Sequence, residues 1–334
     1  MLSKEKYELL EKIIKFKEEE LLLYLKDFLL NNYNQERVVA TEDYLIAFGD
    51  IPVGLVAHLD TVHTTPVKDL YYDKDQNIMW SPQGLGADDR AGVFAIMEIL
   101  YKGLRPTVIF TTEEETGGRG AEALTKQIPT NPNNLKFLIE LDRRGEDDMV
   151  FYDYGCCSES FSKFIKEFGF KNNYGSFSDI AIIAPEWNIC SVNLSIGYLN
   201  EHSTGELLNT SWLYQTIDRV SNILKSVKED DYFEYNKENY TNPYYGYYDD
   251  WEDYYLKQEA EYESQFALCW GCLDTFKKSK MVFPYGEEES AECYCKTCYD
   301  RVYTTCINCK TDFQDKYKTH LLCRNCREIL KEAK

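Results

Sequence analysis

Apolar and polar positions divide the chain into three stretches. From about residue 4 to 30, apolar side chains recur at helical spacing. Beyond it, short apolar runs follow one another at 53–57, 107–110, 137–139 and 189–194. Their lack of alternation predicts strands buried on both faces. Helical patterns over 92–100, 120–127 and 159–168 separate them, and a long helix is predicted after Asn209 or Thr210 as N-cap. This alternation predicts an α/β domain over 1–228, with a mixed, mostly parallel sheet sandwiched by helices.

Residues 229–264 break the pattern. They hold twelve acids, two lysines and ten of the 27 tyrosines, with few aliphatic residues for a core. The stretch is predicted to be an acidic, Tyr-rich linker. Residues 265–334 carry twelve basic and ten acidic side chains and nine cysteines, eight of them in four CxxC pairs. The whole chain of 334 residues has a net charge of −20, which argues against a nucleic-acid partner. No run is long and apolar enough for a membrane span, and the first residues lack the apolar centre of a signal peptide. The expectation is a cytoplasmic protein with no membrane partner.

Five features in 1–228 have metal-binding chemistry. His58-Leu-Asp60 follows the first run, and alternation puts both polar side chains on one side. Gly84-Leu-Gly-Ala-Asp88-Asp89-Arg90-Ala-Gly92 opens a predicted helix, where aspartates serve either as caps or as ligands. Glu113-Glu114-Glu115 follows the second run, at the strand end where open α/β sheets place their sites. Asp142 follows the third run, and His202 lies in a loop after the fourth. Two histidines and several carboxylates at successive strand ends suit two zinc-like divalent ions. Spacing alone does not choose between Asp88 and Asp89, or between Glu114 and Glu115.

As a set, AHLDTV, GADDRAG, TEEETGG, IELD and GYLNEHS resemble the motifs of the co-catalytic di-zinc exopeptidases, the peptidase T-like and zinc aminopeptidase clan, over about residues 37–226. The resemblance implies that His58 and Asp142 serve one catalytic metal, Glu115 and His202 the other, and Asp88 bridges them. It implies Glu114 as general base, Asp60 as support for His58, and hydrolysis through a metal-bridged water. The resemblance points to short peptides as substrates. Many peptidase T-like members insert a lid domain between the fourth and fifth motifs, but only 59 residues separate Asp142 from His202 here. A catalytic domain without that lid is expected. Phe177-Ser178-Asp179 is similar to a fold-supporting stretch of the aminopeptidase branch. Tyr198 and Arg119 are candidates for an oxyanion hydrogen bond. Arg143 and Arg144 offer either a carboxylate-binding pair or two strand-end arginines that pair with acids.

In the tail, Cys269/Cys272 with Cys295/Cys298, and Cys306/Cys309 with Cys323/Cys326, are predicted to hold two structural zinc ions in a small zinc-ribbon module, the alternatives being cross-pairing of the four units or Cys293 in place of Cys295. Its balanced charge favours a protein or intramolecular partner over nucleic acid. The function expected is a metal-dependent exopeptidase acting from the amino end. The alternatives are a deacylase or carboxypeptidase of the same fold, or a non-catalytic adaptor working through its tail. Acids outnumber bases in 1–228 by 35 to 23, which favours a cationic amino terminus as the recognised end. Glu113, Glu140, Glu201 and Asp89 are the spare acids that could meet it.

Overall fold

A computed structural model describes residues 2–152 and 155–239, and in the tail 266–268, 275–277, 280–283, 293–306, 308–314, 322–326 and 328. The chain divides into two compact units, Met1–Asn242 and Pro243–Lys334. The predicted N-terminal helical stretch is two helices, α1 (Lys4–Lys15) and α2 (Glu18–Asn32). Phe16 and Lys17 are extended and break it. Ser3 caps α1 by accepting the Lys6 N–H at 3.3 Å.

The first unit continues through β1 (Val38–Ala40), β2 (Tyr44–Ala47), β3 (Ile51–His58), β4 (Tyr71–Asp73), β5 (Ile78–Trp80), α3 (Ala87–Tyr101), β6 (Pro106–Thr111) and α4 (Arg119–Gln127). There follow β7 (Phe137–Arg143), β8 (Asp148–Val150), α5 (Glu159–Lys166), β9 (Lys171–Asn173), α6 (Ile180–Trp187), β10 (Cys190–Ser195), β11 (Tyr198–Leu199), β12 (Leu207–Asn209) and α7 (Thr210–Ser226). Asn209 caps α7 as predicted, accepting from the Ser211 and Trp212 N–H groups.

The main sheet runs β1-β2-β6-β3-β7-β10-β8-β9. Its centre, β6, β3, β7 and β10, is parallel, while β2 against β6 and β8 against β10 are antiparallel. Both faces are covered. Val53, Leu55, Ala57, Val108, Phe110, Phe137 and Ile139 pack with α1, α2, α3 and α7 in one core. The intervening Val56, Ile109 and Leu138 pack with α4 and α6 in another. Burial on two sides is why these strands read as unbroken apolar runs.

Sequence patterning misses the small sheet β11-β12-β5-β4 and the helix α6, whose interior holds Pro185. Between Asp142 and His202 lie β8, α5, β9, α6, β10 and β11, more elements than the helix over 159–168 and the strand over 189–194 that sequence patterning indicates there.

The expected linker begins as part of the first unit. Lys136 Nζ donates to the Glu229 carbonyl at 2.7 Å and to the Asp231 carbonyl at 2.5 Å. Phe233 joins Phe137, Phe161 and Phe164, with ring centroids 5.1–5.6 Å from its own. Ser158 N–H donates to the Glu234 carbonyl, and Asn236 N–H to that of Cys156. One aromatic residue that fits the Phe cluster is enough to dock a strap that its charge would otherwise leave in solvent. Residues 240–264 lie outside the described residues.

In the second unit, β13 (Phe266–Leu268) pairs with β14 (Thr275–Lys277), β15 (Met281–Val282) with β16 (Tyr294–Cys295), and β17 (Tyr303–Thr305) with β18 (Asp312–Gln314). A short helix, α8 (Lys296–Val302), follows β16. No helix among the described residues is long and apolar enough to cross a membrane.

Candidate active site

The parallel strands end together, and their last residues face the start of α3. His58 closes β3, Asp142 lies near the end of β7, and Glu113–Glu115 form the turn after β6. The Asp88–Asp89 peptide at the start of α3 is cis. Gly92, one turn further, lets α3 approach β7: a Cβ there would lie 2.3 Å from the Leu141 carbonyl oxygen.

Three groups of three possible ligands result, His58–Asp88–Asp142, Asp88–Glu115–His202 and His58–Glu114–Glu115, and Asp88 belongs to the first two. His58 Nε2 lies 3.2 Å from Asp88 Oδ1 and 3.5 Å from Asp142 Oδ1. His202 Nε2 lies 3.3 Å from Asp88 Oδ2 and 3.1 Å from Glu115. One aspartate thus turns one oxygen to each histidine. In each triad the ligand atoms lie within 4.8 Å of one another. This imidazole and carboxylate donor set fits a pair of zinc-class cations.

Asp60 sits behind His58. Its Oδ1 is 3.1 Å from His58 Nδ1, leaving Nε2 to face the acids. It also accepts the Glu114 and Glu115 N–H groups at 3.0 Å each, so it joins the β3 end to the acidic turn. Asp142 is held by the Tyr198 hydroxyl at 3.0 Å and the Ser178 hydroxyl at 3.1 Å, while Asn193 brackets its backbone on both sides.

The structure separates the residues that spacing left open. Asp89 is fully buried and turned away: it accepts the His58 N–H at 3.3 Å and the Gly92 N–H at 2.9 Å. Glu115 reaches His202, while Glu114 lies with Glu115 around the His58 ring. Burial, with Asp142, Asp179 and Glu115 nearby, pushes the Glu114 carboxyl up to about 9. Burial and Asp88 push Glu115 up to about 7. Asp142 rises to about 6 for the same two causes. Burial opposes ionisation of Asp88, but its hydrogen bonds to His202 and His58 prevail and hold it well below the usual carboxylate range.

Other candidates have structural partners. Arg143 pairs with Asp148 and donates to the Tyr174 carbonyl, and Arg144 pairs with Glu201 at 2.7 Å, so both arginines are strand-end partners of acids. Arg119 faces Glu113 at 3.3 Å, and the Tyr198 hydroxyl is taken by Asp142. Glu140 is fully buried and accepts from Ser178 and from the Ile180 N–H. Asp179, also buried, accepts from Thr111. Asp89 and Glu140 are therefore not spare acids for an incoming amine. Sequence reasoning missed Glu206, Asn193 and His63. A lone polar residue in a loop or within an apolar run carries no spacing signal, though Asn193 does interrupt such a run.

In the tail, Cys306, Cys309, Cys323 and Cys326 bring their sulfurs within 4.8 Å of one another. The Thr311 hydroxyl and N–H hold the Cys309 thiol below its usual pKa, as thiolate ligation favours. Cys295 and Cys298 flank the start of α8, but Cys269 and Cys272 lie outside the described residues.

Residues 49–180 match the family described as Peptidase family M28. A search of curated proteins found no match. Among solved structures, the fold is similar to the aminopeptidase PepT from Bacillus cereus ATCC 10987, at 14% identity, TM-score 0.53, 66% of this chain and 97% of that one. It is also similar to the TET aminopeptidase from the marine sediment archaeon Thaumarchaeota archaeon SCGC AB-539-E09, at 15% identity, TM-score 0.51, 72% of this chain and all of that one. At such identities the likeness is one of fold. The family match ends before His202, which the tertiary structure brings to Asp88. The family match and the shared fold agree, and the first unit of this chain is a metallopeptidase, similar over residues 49–180 to Peptidase family M28.

Proposed function

We propose that the chain is a two-metal exopeptidase that removes residues from the amino end of short, unblocked peptides. The observation that carries this reading is Asp88, with one oxygen toward His58 and the other toward His202. His58, Asp88 and Asp142 would hold one ion, and Glu115, Asp88 and His202 the other. Ions held there supply polarisation of the scissile carbonyl and a more acidic attacking water. Asp60 orients His58 through Nδ1, and Tyr198 and Ser178 orient Asp142. Glu114 is the general base: it takes a proton from the attacking water and delivers it to the leaving amine. Its buried position suits a proton carrier, because water competes poorly there.

An amino terminus carries positive charge, and the excess of 35 acids over 23 bases in 1–228 attracts it. Glu113, half-exposed and paired with Arg119 at 3.3 Å, is the acid of the turn that solvent reaches at the site. The commitment of Arg143 and Arg144 to acids argues against a carboxylate-recognising end. In the tail, we assign one structural zinc to Cys306, Cys309, Cys323 and Cys326, a second to Cys269, Cys272, Cys295 and Cys298, and a protein-contact role to the module. The test of end preference is a matched pair of peptides, one free and one N-acetylated, with products followed by mass spectrometry. Release of the first residue from the free peptide is expected. Equal or faster cleavage of the acetylated one would replace the aminopeptidase reading with a deacylase or carboxypeptidase.

A further inference from the structure

Four residues beyond His202, Glu206 is 1% exposed. Its Oε2 accepts the Gly86 N–H at 2.7 Å and pairs with His63 Nε2 at 2.7 Å, while its Oε1 accepts the Asp88 N–H at 2.9 Å. A carboxylate is costly to bury unless donors fill its lone pairs. Here the donors come from the loops that shape the candidate site. Asp88 faces both histidines, Gly86 opens the turn into it, and His63 lies on the loop that leaves β3 after Asp60. The seat of the imidazole needs a glycine at 84: that residue has φ +88°, and a Cβ on it would lie 2.3 Å from the His63 ring.

We infer that Glu206, steadied by His63, is a positioning residue that presets the Asp88–Glu115–His202 triad for its ion by tying the loop of His202 to the backbone of Asp88. This rests on the two-ion reading above. The His58 side keeps its own supports, with Asp60 on His58 and Tyr198, Ser178 and Asn193 on Asp142. Loss of Glu206 should therefore weaken one ion more than the other, which a general loss of stability would not do.

The test is zinc titration by calorimetry of the chelator-stripped full chain, wild type against Glu206→Gln, with circular dichroism as fold control. Expected is a 10–100-fold weaker affinity for one ion of the His/carboxylate centre, the range typical of lost supporting partners. The other ion should change far less. Wild-type affinity for both ions in Glu206→Gln overturns the inference. If that variant does not fold, His63→Ala decides. It leaves the two backbone donors in place, and His63 borders an existing cavity shared with Phe16, Glu18 and Arg90. A selective weakening of about tenfold is expected, and unchanged binding overturns the inference. A wild-type centre that takes a single ion would instead sink the two-ion reading, and this inference with it.

Discussion

Glu114 and Glu115 share a turn whose N–H groups both point at Asp60, yet Glu115 extends to His202 while Glu114 stays beside His58. Glu114→Gln should keep both metals and the fold, and lose hydrolysis by about 10²–10⁴-fold. His58→Ala should instead lose metal. Comparing zinc content with turnover separates the two outcomes, and near-normal turnover in Glu114→Gln would remove it as base. The acids also make a prediction for the metal-free protein. Glu115, Asp142 and Asp179 are raised to about 7, 6 and 7, chiefly by burial. Each holds its proton more tightly folded than unfolded, so the folded state carries extra protons between the ordinary carboxylate range and these values. Stability of the chelated protein should therefore fall as pH rises from about 4 to 7. Asp60 and Asp88 are shifted down, so their own pH dependence falls below about pH 4, outside this window. Thermal melts of the stripped protein at pH 5 and 7 check the sign. Zinc should restore stability at pH 7 and release protons as it binds.

At the scale of elements, the strap over 229–239 is the part that charge alone misreads. Its acids face solvent or pair locally, while Phe233 enters the aromatic group of Phe137, Phe161 and Phe164. A chain ending at Lys228 should melt lower than one ending at Asn239. Phe233→Ala in the full chain should cost about 2–3 kcal/mol, somewhat less than a fully buried Phe, because the ring is half-buried. Denaturant unfolding of the three proteins checks this, and equal midpoints for the two truncations would mean the strap contributes nothing. The break between α1 and α2 has a functional side as well. It places Glu18 where its Oε1 accepts the Glu113 N–H at 3.2 Å, so the N-terminal helices support the acidic turn.

For the whole molecule, the proposed sites call for two kinds of zinc. Elemental analysis of protein purified without chelator should give about four ions per chain, two at the His/carboxylate centre and two in the tail. Cys306→Ser should lower that count by about one and leave peptide hydrolysis near wild type. Parallel loss of activity would show that the tail site supports catalysis.

Much of the fold was legible from patterning, for a physical reason: strands covered on both faces must be apolar throughout, and β3, β6, β7 and β10 stand out as runs. The short edge strands and the β4–β5–β11–β12 sheet were not legible, because three-residue strands are too brief for periodicity to build up. The candidate residues were legible as types at strand ends, since a parallel sheet must bring those ends together. Which of them share a centre was a tertiary decision. Asp88 and Asp89 are chemically alike and adjacent, and only the turn at the start of α3 sends one to both histidines and the other to the His58 backbone. His202 and Glu206 lie 114 and 118 residues from Asp88 along the chain, so no local spacing could relate them to it. Chain order sets which chemistry is available; through-space distance decides which groups act together.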